Sequence, residues 1–274
     1  MPGRRHAVRF LGVDLAWRDQ AADLPANETG LVAIDRYGEV LDASWRRGVP
    51  DSLAWVDRAA GTGDALMFVD ASLVVRNDSG QRSCETQVGQ RYGRWKVSAN
   101  STNRGSPRLA GVSFLRAAER GGWRYSDGWQ GPPHGGRFLS ETYPYTVLVG
   151  APELGYRCER PRYKRKPRGM PAAVWRSVRA ANCDELIGRL RKLADADPPL
   201  VLESNPVTRE LAEVRSPTAD ADYKHREDLI DALLCAWAAS LWDRYGLDRC
   251  QVLGLPGDEP AATIISPARA EQRG

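Results

Sequence analysis

Four aspartates stand where an acid is costly. Asp228 and Asp231 lie three residues apart in HREDLIDALLCAWAASLW, His225 to Trp242, a stretch apolar over most of a helix circumference. Asp14 closes the apolar run VRFLGVDL, and Asp70 closes ALMFVD. A fifth acid, Glu141, sits in RFLSETYPY between them in the chain. A carboxylate among Ile, Leu and Ala must be paired or must hold a cation. Four clustered carboxylates cannot all ionise without one. Hard oxygen ligands select Mg²⁺ or Mn²⁺ rather than zinc, and two such ions can activate a water and stabilise a leaving oxygen in phosphodiester cleavage. The structural alternative is that the positive end of the helix accounts for Glu227 and Asp228 and that an arginine satisfies Asp231.

The elements that must position these acids follow from the hydrophobic pattern. Val8 to Leu15 is apolar on both faces, as a central strand is. A polar loop follows, from Trp17 to Glu28, and then strands at Thr29–Ile34 and Glu39–Trp45 around the turn Asp35-Arg36-Tyr37-Gly38. A helix is expected from Asp51 to Ala60, and a buried strand from Ala65 to Val69. The order is β-β-β-α-β, with an antiparallel meander at its start. If neighbouring strands end at one edge, Asp14 and Asp70 face one crevice, and the His225–Trp242 helix packed beside the first strand delivers Asp228 and Asp231 to it. Residues 76–105 show no clear regular pattern. Helices are expected at Pro107–Arg120, Pro171–Arg179, Cys183–Ala194 and Val207–Val214, and strands at the start of Arg137–Val149 and at Leu200–Glu203. The expected organisation is one domain over residues 1–253, with insertions near 76–105 and 150–222, and a tail from 254 to 274 carrying a β-prone patch at Thr263–Ile265.

The chain of 274 residues has a net charge of only +4, so any affinity for nucleic acid must come from local patches. Arg157–Arg168 holds seven Lys or Arg in twelve residues with Tyr163 among them. Such a run is either a solvated loop or a loop that contacts phosphates through Lys164, Arg165 and Lys166. Arg91 and Arg94 alternate with Tyr92 and Trp95 in a second basic and aromatic stretch. No stretch is long and apolar enough to span a membrane. The N-terminus lacks a secretory core and cleavage site, and the five cysteines are scattered without metal-site spacing, which fits free thiols in a cytoplasmic protein. His6, His134 and His225 are dispersed and form no zinc pattern.

The segments GVDLAW, FVDASL, RSCE, SETYP and DLIDALLCAWAA together resemble a bacterial and archaeal domain-of-unknown-function family of predicted nucleases with a ribonuclease-H-like fold. The layout is also similar to that of Holliday-junction resolvases. The resemblance implies an α/β fold with a mixed five-stranded sheet, a three-strand antiparallel meander plus parallel strands, flanked by helices. It implies Asp14, Asp70 and Asp231 as metal ligands with Asp228 as a fourth, Glu141 as a motif acid, and Arg82 and Glu85 of RSCE as a supporting pair or substrate contact. The implied activity is metal-dependent cleavage of nucleic acid. Two other classes stay open. A non-catalytic module would pair the acids with arginines such as Arg82, Arg91 or Arg94. A sugar-kinase or actin-like ATPase shares the β-β-β-α-β start, but needs a glycine-rich phosphate loop where this chain has Asp14-Leu15-Ala16-Trp17.

Overall fold

A computed structural model describes residues 8–16, 26–107, 109–257 and 260–274. The loop expected after Asp14 falls largely outside them. The elements run β1 (Arg9–Asp14), β2 (Glu28–Ile34), β3 (Val40–Arg47), α1 (Val49–Ala60), β4 (Ala65–Val69), α2 (Ser83–Tyr92), α3 (Ala110–Arg120), β5 (Arg124–Tyr125), β6 (Arg137–Glu141), α4 (Pro144–Gly150), α5 (Ala172–Arg191), α6 (Pro206–Glu213), α7 (Asp220–Tyr245), β7 (Cys250–Leu253) and β8 (Ile264–Pro267).

The main sheet has the order β3-β2-β1-β4-β6-β5. The meander β1-β2-β3 is antiparallel, and β1, β4, β6 and β5 run parallel. This is a mixed α/β architecture with six strands rather than five. The extra strand, β5, is a two-residue edge segment, too short to leave a periodic signal. Helices cover both faces. One core joins α1 and α3 to Leu11, Val13, Met67 and Val69; the other joins α4, α5 and α7 to Phe10, Val32, Leu66 and Phe68. Successive residues of β1 and β4 thus alternate between two buried faces, which is why β4 is apolar throughout and β1 from Phe10 to Val13.

Several local expectations are corrected. Residues 76–105 contain α2, whose Arg82–Glu85 start forms reciprocal side-chain and backbone contacts. The two helices expected at 171–194 are one, α5, since no Gly or Pro interrupts Ala180-Ala181-Asn182. Leu200–Glu203 is not a strand: Val201 makes a single bridge to Glu39, and a 3₁₀ turn follows at Leu202–Ser204. The segment after 253 is no loose tail, because β8 pairs with β7 and buries Ile264 and Ile265 in the α7-side core. All five cysteines are free. Among the described residues, no helix is long and apolar enough to cross a membrane.

Candidate metal centre

Strand parity aims the first two aspartates. Asp14 shares a face with Phe10 and Gly12, and Asp70 follows Leu66 and Phe68 on that same face. The parallel register sets Phe10 beside Leu66 and Gly12 beside Phe68, and the Asp70 N–H donates to the Val13 carbonyl at 2.8 Å. Both carboxylates therefore leave the carboxyl ends of adjacent strands toward α7. Two glycines let α7 lie directly on the sheet. A Cβ on Gly12 would stand 1.9 Å from the Ala232 carbonyl oxygen, and one on Gly30 would stand 2.2 Å from that of Asp228. Only glycine permits so close an approach of helix backbone to strand, and it is this approach that brings the α7 acids to the strand ends.

Asp14, Asp70 and Asp231 each offer an oxygen within 4.8 Å of the others, a grouping that could hold a metal ion. Asp231 is fully buried, Asp14 and Asp228 are buried, and Asp70 is half-buried. Burial, and next the charge of Asp14, push the Asp70 carboxyl up from 3.8 to about 7 and that of Asp228 to about 8. Only two ammonium groups reach these four acids among the described residues. Lys164 contacts Asp231 Oδ2, and Lys224, one turn before Asp228 on α7, contacts its Oδ1. The Tyr163 hydroxyl donates to Asp231 Oδ1 at 2.6 Å, so each Asp231 oxygen has one partner, Tyr163 on Oδ1 and Lys164 on Oδ2. The donor set is all hard oxygen, and the two ammonium groups leave it short of positive charge. It fits a divalent cation.

The acids open into a cleft of about 470 Å³ lined also by Asn100, Tyr145, Lys164, Arg165 and Lys224. The basic run is pinned here rather than free. The Tyr223 hydroxyl of α7 donates to the Tyr163 carbonyl at 2.6 Å, and Arg160 Nε donates to the Lys96 carbonyl at 2.8 Å. Arg165 Nη2 donates to Asn100 Oδ1 at 2.6 Å. Tyr145 is buried in the cleft wall, and its hydroxyl has no partner among the described residues. Lys166 is exposed and stands outside the cleft lining. Arg91 lies against Gly274 and Arg94 stacks over Trp95, 5.5 Å from its ring centre; neither lines the cleft. His225 stacks on Trp45, with ring centres 3.5 Å apart, and its Nδ1 meets Glu28 Oε2 at 2.9 Å.

Glu141 belongs to a second cluster. Its register partner is Val69, on the α1 and α3 face, so it leaves β6 away from the aspartates. Arg82 Nη1 and Nη2 grip both its oxygens at 2.8 and 2.6 Å, and the Leu73 N–H adds a bond at 3.1 Å. Arg82 Nε reaches Glu85 Oε1 at 2.9 Å, and Glu85 Oε2 accepts from the Thr102 N–H at 3.0 Å. Burial works against the Arg82 charge, but the Glu141 carboxylate outweighs it and holds the guanidinium protonated well above its ordinary range. RSCE and SETYP thus meet as one buried ion network, separate from the candidate metal ligands. Sequence reasoning overlooked Lys224 and Tyr145 as parts of the site. The i, i+4 spacing of Lys224 and Asp228 was a readable signal, whereas Tyr145 had none.

A family model described as a protein of unknown function, DUF429, matches residues 12–259. The chain belongs to the DUF429 family. No curated protein and no solved structure matches it. The DUF429 match takes in all four aspartates, both members of the Arg82–Glu141 pair and the basic run.

Proposed function

We propose that the protein is a divalent-metal-dependent nuclease built on a ribonuclease-H-like sheet, with Asp14, Asp70 and Asp231 as ligands, Asp228 beside them, and Mg²⁺ or Mn²⁺ as the ion. The observation that carries this reading is the convergence within 4.8 Å of Asp14 and Asp70, at the carboxyl ends of the parallel strands β1 and β4, with Asp231 of α7, short of positive charge. The meander followed by parallel strands in the order β3-β2-β1-β4-β6 supports the fold reading. A bound ion supplies Lewis acidity and an activated water. The chain's own residues do the rest. The aspartates fix the ion, Lys164 and Arg165 attract the phosphate backbone, and the buried Tyr145 hydroxyl offers a hydrogen bond to a phosphate oxygen.

The test is calorimetric titration with Mn²⁺ followed by cleavage assays on single-stranded, duplex and branched oligonucleotides. Saturable binding, and cleavage lost in Asp14→Asn and Asp231→Asn, is the expected result. Full cleavage by either variant would remove these acids from the reaction. One observation favours a second reading, a non-catalytic module: Lys164 and Lys224 already neutralise part of the cluster. That reading expects no Mn²⁺ binding even with an oligonucleotide present.

A further inference from the structure

The buried Arg82–Glu85–Glu141 network frames a second cavity, of about 290 Å³, next to the acid cleft. The two share Asp70, Asn100 and Tyr143 at their junction. The network braces the walls of this cavity. Glu141 holds the backbone of Leu73 just after Asp70, and Glu85 holds that of Thr102 on the opposite loop. Taking two carboxylates and a guanidinium out of water is expensive, and apolar residues often stabilise a core as well. What such a network provides instead is a fixed shape, here the shape of a recess opening beside Asp70.

The lining defines the ligand chemistry. Among the described residues Arg82 is the only cation in the lining, and its five N–H groups are spent on Glu85, Glu141 and the Val74 carbonyl. The described lining therefore has no unspent positive charge to offer a phosphate. It presents instead the hydroxyl of Ser101, which makes no side-chain hydrogen bond among the described residues, the aromatic Tyr143, and the apolar Ile264 of β8. Its volume lies at the small end of ligand pockets, roughly 300–1,000 Å³, and a base pair would not enter it. A neutral, flat, hydrogen-bonding group of one ring system and a sugar suits the cavity, with its attached phosphate left outside in the cleft near the aspartates.

We propose that this cavity receives the base and sugar of one unpaired nucleotide of the substrate, placing the adjoining phosphate at Asp70. The proposal rests on the nuclease reading for its ligand class and names that substrate as single-stranded, or locally unpaired, at the reacting position.

The test uses adenosine, guanosine, cytidine and uridine, which carry no phosphate, in ligand-observed NMR with chelator present so that the metal centre contributes nothing. At least one nucleoside is expected to bind, with saturation transfer strongest at base protons. Ser101→Trp, an exposed position, should fill the cavity, and Tyr143→Leu should weaken binding ~10-fold by removing a stacking surface. No transfer to any of the four, or binding unchanged in Ser101→Trp, overturns the proposal. Its failure separates from failure of the nuclease reading. Metal-dependent cleavage without nucleoside binding sinks only the cavity assignment. Nucleoside binding that Ser101→Trp abolishes, in a protein without cleavage, keeps the cavity and sinks the nuclease.

Discussion

Two clusters of acids sit within one cavity's width of each other and meet opposite fates. Glu85 and Glu141 are buried, and one guanidinium plus backbone N–H groups satisfies both. Asp14, Asp228 and Asp231 are buried and Asp70 half-buried, yet among the described residues only two lysines reach them, and the Asp70 and Asp228 carboxyls are pushed up to about 7 and 8. The difference shows that burial alone does not mark a site. An acid matched by planar, bidentate arginine is part of the frame. Acids crowded together with too little positive charge could hold a cation, and the Arg82 network braces the walls of the cavity beside them.

The largest expected effect breaks the first cluster. Arg82→Met should cost about 3–5 kcal/mol by stranding two buried carboxylates, read as a lower urea midpoint. Asp70→Asn, in metal-free protein, should leave the midpoint equal or higher, because it removes repulsion rather than a partner. Equal destabilisation in both variants would erase the distinction between the clusters.

Acidity sharpens the same contrast. Folded-state values raised above the ordinary 3.8 mean that the folded chain keeps protons the unfolded chain has released. Metal-free stability should therefore fall as pH rises from about 4 to about 8, flattening beyond. Saturating Mn²⁺ should restore stability at the alkaline end. A melting temperature that rises across that window would contradict the assignment.

Smaller effects concern the lysine that stands in for part of the missing charge. Lys164→Met should bind Mn²⁺ about 10-fold more tightly by calorimetry, since an ammonium no longer competes for Asp231 Oδ2. Looser binding would instead make Lys164 a structural support of the site. Neutralising Lys164, Arg165 and Lys166 together should reduce the salt slope of single-stranded oligonucleotide binding by about 0.7 for each phosphate no longer neutralised. Lys166 alone, outside the cleft lining, should contribute least of the three.

Local patterns determined a great deal about this protein. Apolar runs ending in Asp14 and Asp70, the turn at Asp35–Gly38 and the long apolar helix with paired aspartates sufficed for the meander, for β4 and α7, and for three acids at one edge. Those features are written in nearest-neighbour periodicity, which a chain carries in its residue order. Tertiary structure alone decided which acids meet what. Glu141 ends β6 as Asp14 ends β1 and Asp70 follows β4, but β1 and β4 are buried on both faces and RFLSE of β6 does not alternate, so no pattern revealed that one register step turns Glu141 toward Arg82 and away from the aspartate cluster. The seating of Tyr163 and Lys164 on Asp231 joins residues 68 and 67 positions apart through a loop with no periodic signal. Gly12 and Gly30 take their meaning only once the α7 backbone lies against them, because close approach is a property of two elements and is encoded in neither alone.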